Sequence, residues 1–462
     1  MSNLKIYDYL YFFSLSIVVF IFINYIRLNV DSLWILHCAK QIIDGATLYV
    51  DKIDVNPPLI FIYSIIPVMF SKITSISMEN SYILFVLVLV FLSTFLCFKI
   101  IKDIYKENEN RILIYSIFFI LTISTTSNFG EREHLFVIFV FPYILYHLYK
   151  EQIFISNGFL IFIAIFAALG FNLKPHFFIV FVFLEFYFFF KSKRFSSFFR
   201  IDTIIIALSG IFYLLIIKLF FEEYISVIIP FSIQSYTNAF NKSFLELLIV
   251  PEILITFIAF VLFFLNKKKL FKFDINILFI AIFASLLFYF LQAKGWSYHR
   301  VPIFSFVQFF CVILFLYILK NRLYLLIVIP IYIFALYIIP SVNPTYPALK
   351  KYIEKIPDNK TISIISMDIA QGVFLLKPSH IWASRYSAYF MFPSIFIDKN
   401  EYVKKITLKA INEDLLKYNP DIIIFQNKFF YDFLISNDLD TKNLFDNYYK
   451  NSYLNNYLIL RK

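Results

Sequence analysis

Glycine is scarce in this chain, with 7 residues in 462. A loop that wraps a nucleotide phosphate needs several glycines within one turn. The sequence has no such cluster, no Walker pattern and no paired zinc-ligand spacing. Charge is scarce as well. Charged residues make up 16% and apolar residues 60%, and the mean hydropathy is +0.76. Soluble domains carry about a quarter charged residues, so a soluble enzyme is excluded and the chain reads as one solvated mostly by lipid. Cysteine is limited to Cys38, Cys97 and Cys311, the last two inside apolar runs. No disulfide and no thiolate metal site are expected from them. With 16 prolines and 7 glycines, collagen-like and low-complexity classes are also excluded. No cleavable signal is expected, because the first apolar run is too long and no small-residue cleavage site follows it. What is abundant is bulk: 63 Phe and 33 Tyr. They are spread along the whole chain, so they are not read as stacking platforms for nucleic acid. The net charge of +11 is read as a topology signal.

Apolar runs fall at 9–28, 57–71, 82–102, 111–127, 133–150, 155–172, 175–191, 201–221, 247–265, 275–293, 300–319 and 323–340. Most are long enough to cross a hydrocarbon core of roughly 30 Å as helices. The short run 57–71 opens Asn56-Pro57-Pro58 and decides the topology. One alternating set of loops holds most cations: Lys99, Lys102, Lys106 and Arg111; Lys150; Lys191, Lys193, Arg194 and Arg200; Lys267, Lys268, Lys269 and Lys272; Lys320 and Arg322. The cation-rich set should be cytoplasmic. With Lys5 also inside, this requires 57–71 to be a non-spanning helix on the outer face. The expected fold is therefore an all-α polytopic membrane protein of about 11 transmembrane helices. A small C-terminal α/β extracytoplasmic domain completes it. The expected domains are 1–340, with an outer loop 29–81 carrying amphipathic helices, and 341–462.

The residues that carry chemistry collect in the outer loops. Asp31 opens an amphipathic stretch 32–44 that Gly45 stops. It is either the cap of that helix or a general base fixed at the membrane surface. The second loop reads Glu131-Arg132-Glu133-His134, expensive next to lipid. Its acids either favour a helix start or belong to a site. Lys174-Pro175-His176 and Lys294-Gly295-Trp296-Ser297-Tyr298-His299-Arg300 place cations against the positive-inside trend. They either snorkel to headgroups or bind a lipid-borne phosphate. Glu131, Glu133 and His299 are residue types that hold a divalent ion, so a metal is left open as the one cofactor.

At this point the pattern resembles a known superfamily. An acid after the first span, an amphipathic helix ending Asp44-Gly45, then Tyr49 and Asn56-Pro57-Pro58-Leu59 resembles the integral-membrane GT-C glycosyltransferases. It is similar in pattern to the protein O-mannosyltransferases and the lipid A aminoarabinose transferase. The resemblance covers 8–190 well and 190–340 loosely. It implies a multi-pass inner-membrane enzyme with its active site and C-terminal domain outside the cytoplasm. The implied donor is a sugar on a polyprenyl phosphate, transferred with inversion to a lipid, glycan or protein. Asp31 matches the family's first-loop acid, although Ser32 stands where the mannosyltransferases have a second acid. The second-loop acid falls on Glu131 or Glu133. Lys174 matches a lysine near the donor phosphate; Lys294, His299 and Arg300 match in location only. His134, His176, Arg132, Trp296 and Tyr298 are further site candidates.

Beyond 341, the stretches 361–366, 421–425 and 457–460 read as strands and 346–356, 401–418 and 427–437 as helices, a small α/β layer. Trp382, Arg385 and Tyr386 there either face the membrane cavity or pack the domain. Two other functions make different demands on the sequence. A polysaccharide ligase would carry a larger late outer loop than 292–300. A polytopic transporter or lipid-linked glycan flippase would bury charges mid-span along a pathway.

Overall fold

The computed structural model describes residues 5–236, 240–266, 273–318, 346–377 and 379–462. The run 323–340, the expected boundary at 340/341, the cations Lys267, Lys268, Lys269 and Lys272, and Lys320 with Arg322 lie outside the described residues. The chain divides into two compact units. The first comprises Met1–Asn29, Ile62–Ile216 and Lys242–Val342; the second comprises Val30–Phe61, Ile217–Asn241 and Asn343–Lys462. The C-terminal segment therefore shares its unit with two stretches from much earlier in the chain.

The apolar runs of the first unit are helices: α1 Ile6–Ile26, α3 Leu59–Thr74, α4 Met78–Ile101, α5 Glu107–Ile120, α6 Arg132–Tyr149, α7 Asn157–Phe171, α8 Phe178–Ser192, α9 Ile201–Phe220, α11 Phe244–Leu248, α12 Pro251–Asn266, α13 Asn276–Gln292 and α14 Val301–Ile318. The intervening α2 Val30–Ile43 and α10 Ile229–Ser235 belong to the second unit. Among the described residues, six helical segments are long and apolar enough to cross a membrane, and shorter apolar helices accompany them. This is an integral membrane protein. Two runs break for local reasons. Pro251 starts a new helix after Leu248, as proline does at a first helical position. The run 111–127 leaves α-helix at Ile120 and becomes a 3-10 turn, Ile123–Asn128. There the polar stretch Ser124–Asn128 can bond its own backbone in place of the helix ladder.

Helix α6 is the axis of the first unit. All of its 18 residues are buried, and it packs against α4, α7, α13 and α14. Gly170 lets α7 approach: a Cβ there would stand 2.8 Å from the Phe139 Cβ. Each end of this helix carries an ionic cluster. At its C-terminal end, His147 Nε2 lies 3.0 Å from Asp202, and Arg200 reaches Glu185 at 2.7 Å and Asp202 at 3.3 Å. Close by, Lys191 ties Glu151 to Asp274, both at 2.8 Å. The loops after α6, after α8 and before α13 thus meet at one end, the same loops that the charge count grouped together. The opposite end, about 27 Å away along the 18 residues of α6 at 1.5 Å per residue, gathers the loops before α6, after α7 and before α14.

In the second unit, five strands form one sheet in the order β2-β1-β3-β5-β4. They are β1 Thr361–Ile365, β2 Ile381–Trp382, β3 Ile422–Phe425, β4 Tyr449–Leu454 and β5 Tyr457–Arg461. β1 runs parallel to β2 and β3, and β3–β5–β4 is antiparallel. The three strands and three helices read from the sequence are all present. The edge strands β2 and β4 were not foreseen; β2 has two residues and β4 is mostly polar. Ile423, Phe425, Leu458 and Leu460 join Val403, Ile411 and Leu415 of helix Glu401–Tyr418 in the core. Trp382, Arg385 and Tyr386 serve packing. Trp382 Nε1 donates to Tyr386 O at 3.0 Å, Tyr386 is in the core, and Arg385 Nε donates to Asp414 at 2.8 Å.

The early loop is strapped to this layer. Ile53 N–H donates to Arg385 O at 2.8 Å, and Lys52 Nζ to Ser384 O at 2.8 Å. Asp51 accepts from Lys417 at 2.6 Å. Helix α2 packs against the 3-10 turns Ile369–Gln371 and Val373–Leu375.

Candidate active site

The site-bearing end of α6 is built by a tight turn. Gly130 has φ +79°, and a Cβ there would stand 2.5 Å from Tyr82 Cε1; the Tyr82 hydroxyl donates to Gly130 O. His134 Nδ1 accepts from Gly130 N–H at 2.9 Å, and its Nε2 donates to Leu121 O at 2.9 Å. Both ring nitrogens are committed to backbone, so His134 shapes the turn and leaves no atom for a ligand. Gly130→Ala meets both a left-handed backbone and a collision, and should cost about 2–3 kcal/mol. The check is a lowered thermal midpoint of the detergent-purified protein.

Glu131 immediately precedes α6 and makes no side-chain cap bond. Its Oε2 lies 3.1 Å from Arg132 Nη2. Glu133, one residue into the helix, accepts from Lys174 Nζ at 2.7 Å and has His299 Nε2 at 3.9 Å. The Tyr298 ring receives two cations, with Arg132 at 5.3 Å and Lys174 at 5.5 Å from its centroid, where the π face attracts them. His299 stands edge-on to Tyr298 at 4.6 Å, and Trp296 lies 5.4 Å from His299. Burial pushes the Lys174 ammonium down from its usual pKa, and the Glu133 carboxylate opposes that shift. Among the described residues, Glu133 Oε2, His299 Nδ1 and His176 Nε2 are buried here without a hydrogen-bond partner. Buried polar atoms left unpaired call for an explanation, and a ligand hydroxyl, which can donate to Glu133 Oε2 and bond a histidine nitrogen, would supply one.

The structure thus brings Arg132, Glu133, Lys174, Tyr298 and His299 together from three loops, with Trp296 against His299. Arg300 has a partner that the sequence did not reveal, donating from Nη1 to Glu252 at 2.7 Å. These two residues line a small crevice with Ser124, Asn128 and Ser297. Glu252 could have been noticed as an acid interrupting an apolar run. Lys294 lies in the turn between α13 and α14, where Ala293 (φ +54°) and Gly295 (φ +65°) are left-handed; burial lowers its pKa. For a metal, Glu133 and His299 form a two-donor pair. No group of three or more His, Cys, Asp or Glu side chains among the described residues could hold one. That falls short of the three protein ligands of a typical catalytic zinc site.

Asp31 belongs to the second unit. The sequence left open that it caps a helix starting at 32. Helix α2 starts at Val30, so Asp31 lies inside its first turn, half-buried, where a carboxylate favours the helix dipole. Trp34 and His37 follow at intervals of three, on the same face. Their rings stack at 5.4 Å, and Trp34 Nε1 and His37 Nε2 are buried without partners. Burial, with Lys52 and Lys40 nearby, lowers the His37 pKa to about 3, so its ring is neutral. Trp34 and His37 were not among the site candidates read from the sequence; their three-residue spacing from Asp31 was the available signal.

No protein-family model matches the chain, and no curated protein matches it in sequence. Solved structures do match. The crystal structure of ArnT from Cupriavidus metallidurans bound to undecaprenyl phosphate superposes with a TM-score of 0.58 at 12% identity, covering 97% of each chain. The apo structure of the same protein gives a TM-score of 0.60 at 10% identity, covering 97% of this chain and 96% of that one. ArnT is the lipid A aminoarabinose transferase, of GT-C type. Over nearly its whole length, the chain shares the fold of ArnT.

Proposed function

We propose that this protein is an inner-membrane glycosyltransferase. It takes a sugar from a polyprenyl-phosphate carrier and transfers it, with inversion, to a lipid, glycan or protein acceptor on the extracytoplasmic side. The observation that carries this reading is the buried Lys174–Glu133 pair with its unpartnered carboxylate oxygen. The fold supports it, being shared with a protein solved with undecaprenyl phosphate.

The reaction displaces a phosphate from the anomeric carbon. Asp31 takes the proton of the attacking hydroxyl. The C1–O bond to phosphate breaks, and the lipid leaves as a phosphate monoester. Charge grows on that phosphate in the transition state, so cations aimed at it bind that state better than the ground state. Lys174 is assigned this role, with Arg132 beside it across the Tyr298 ring and Lys294 and Arg300 as further contacts. Glu133 positions Lys174 and opposes its deprotonation. His176 and His299 each offer a ring nitrogen to donor or acceptor hydroxyls. No step is assigned to a metal.

The test is an in vitro assay of purified protein with a panel of polyprenyl-phosphate sugars. The expected result is release of polyprenyl monophosphate matched by glycosylation of an added acceptor. Movement of intact lipid-linked sugar across liposomes without C1–O cleavage would overturn the reading in favour of a flippase.

A further inference from the structure

The sheet of the second unit has a crevice that the transfer chemistry does not use. β1 has β2 on one side and β3 on the other, so consecutive strands leave β1 in opposite directions. In open α/β sheets, ligands bind outside the carboxyl ends of strands at such a switch point. A cavity of about 380 Å³ lies there, within the size range of small-molecule sites. Gln371 comes from the turn after β1, Gln426 and Asn427 from the end of β3, and Asn455 and Asn456 from the β4–β5 hairpin; Tyr346 and Tyr457 also line it.

The lining fixes the chemistry of an occupant. It contains no ionisable acid or base other than the two phenols. A charged ligand would be desolvated without a counter-charge, which is costly. A purely apolar ligand would strip water from five side-chain amides without replacing their hydrogen bonds, which is also costly. What fits is a neutral molecule dense in hydroxyls with some apolar face, against amides that both donate and accept and amphipathic tyrosine rings. The amides are oriented in advance. Gln426 Oε1 accepts from Met367 N–H at 3.0 Å, which turns its NH₂ away from the backbone. The Ser366 hydroxyl sits 3.1 Å from Gln371 Oε1 and 3.2 Å from Gln426 Oε1. Asn427 Oδ1 caps the following helix at Phe430 N–H, 3.3 Å, which leaves its NH₂ as a donor as well. Tyr346 donates to Asp368, fixing its ring at the rim.

We infer that the C-terminal layer carries a carbohydrate-binding site for a neutral sugar residue, separate from the transfer chemistry. The site stands on its own lining and holds whether or not the transferase reading survives.

The test uses the full-length protein in a zwitterionic detergent, because maltoside headgroups would compete. Saturation-transfer NMR and titration are run without donor lipid on methyl glycosides of neutral hexoses and N-acetylhexosamines, a methyl glucuronide, and adenosine. The expected result is binding of at least one neutral glycoside, with the glucuronide and adenosine weaker. Asn456→Ala and Tyr457→Leu should each weaken it about tenfold with an unchanged thermal midpoint. Asn456 is exposed in a turn, so its removal leaves the fold intact. No binding of any neutral glycoside, tighter binding of the glucuronide or adenosine, or undiminished binding by both variants would overturn the inference.

Discussion

Asp31→Asn should lower the rate of sugar transfer by roughly 10²–10⁴-fold, the range that a positioned general base contributes. The replacement keeps the size of the side chain, and residue 31 is half-buried in the first turn of α2. A lost helix-dipole contribution of about 0.3–1 kcal/mol is one structural cost expected, small beside the loss in rate. Thermal midpoint and donor KM should therefore stay close to wild type while kcat falls. Since Trp34 and His37 share that helix face, the loss should be confined to acceptor-dependent turnover. A variant that transfers sugar at the normal rate would remove Asp31 from the mechanism.

The second large effect separates chemistry from packing at Lys174. Lys174→Met leaves the Glu133 carboxylate buried without its cation. Breaking a buried pair in this way costs about 3–5 kcal/mol, and losing an electrostatic contact to the developing charge costs about 10²–10³ in kcat. Both follow from one substitution, so the single variant cannot tell them apart. The pair Lys174→Met with Glu133→Gln can. It removes both charges and should recover most of the thermal midpoint. Transfer should stay depressed, because the leaving phosphate still lacks its cation. If the double variant regained transfer with its stability, the pair would be a packing device and the phosphate role would fall.

Much of this architecture was legible because lipid demands long apolar runs. Apart from 111–127 and 247–265, which break, the described runs fold as helices within a few residues of their expected bounds, and loops that the cation count grouped meet at one end through Lys191, Glu151 and Asp274. Three things were not legible. The total burial of α6 left no mark, since a lipid-facing and a protein-facing surface are equally apolar in such a chain. The Lys174–Glu133 pair joins residues 41 positions apart, and spacing says nothing about which loops converge. His134 looked like a site residue because a buried histidine carries the same letter whether it serves a ligand or the backbone. In the C-terminal layer, short runs rich in isoleucine and leucine revealed β1, β3 and β5. The partner of the early loop stayed hidden, because an amphipathic helix shows that it needs a partner and not which one.

The strap between the early loop and the C-terminal layer sets an order of events during biosynthesis. Lys52 waits for Ser384, 332 residues later, and Asp51 for Lys417, 366 residues later. The stretch carrying the acid is therefore translated long before the residues that hold it in place. A ribosome stalled after the membrane segment but before Ser384 would release a chain whose acid-bearing helix lacks its support. If the proposed transfer holds, such a product should be inert toward lipid-linked sugar, so that competence waits for the residues that support the helix.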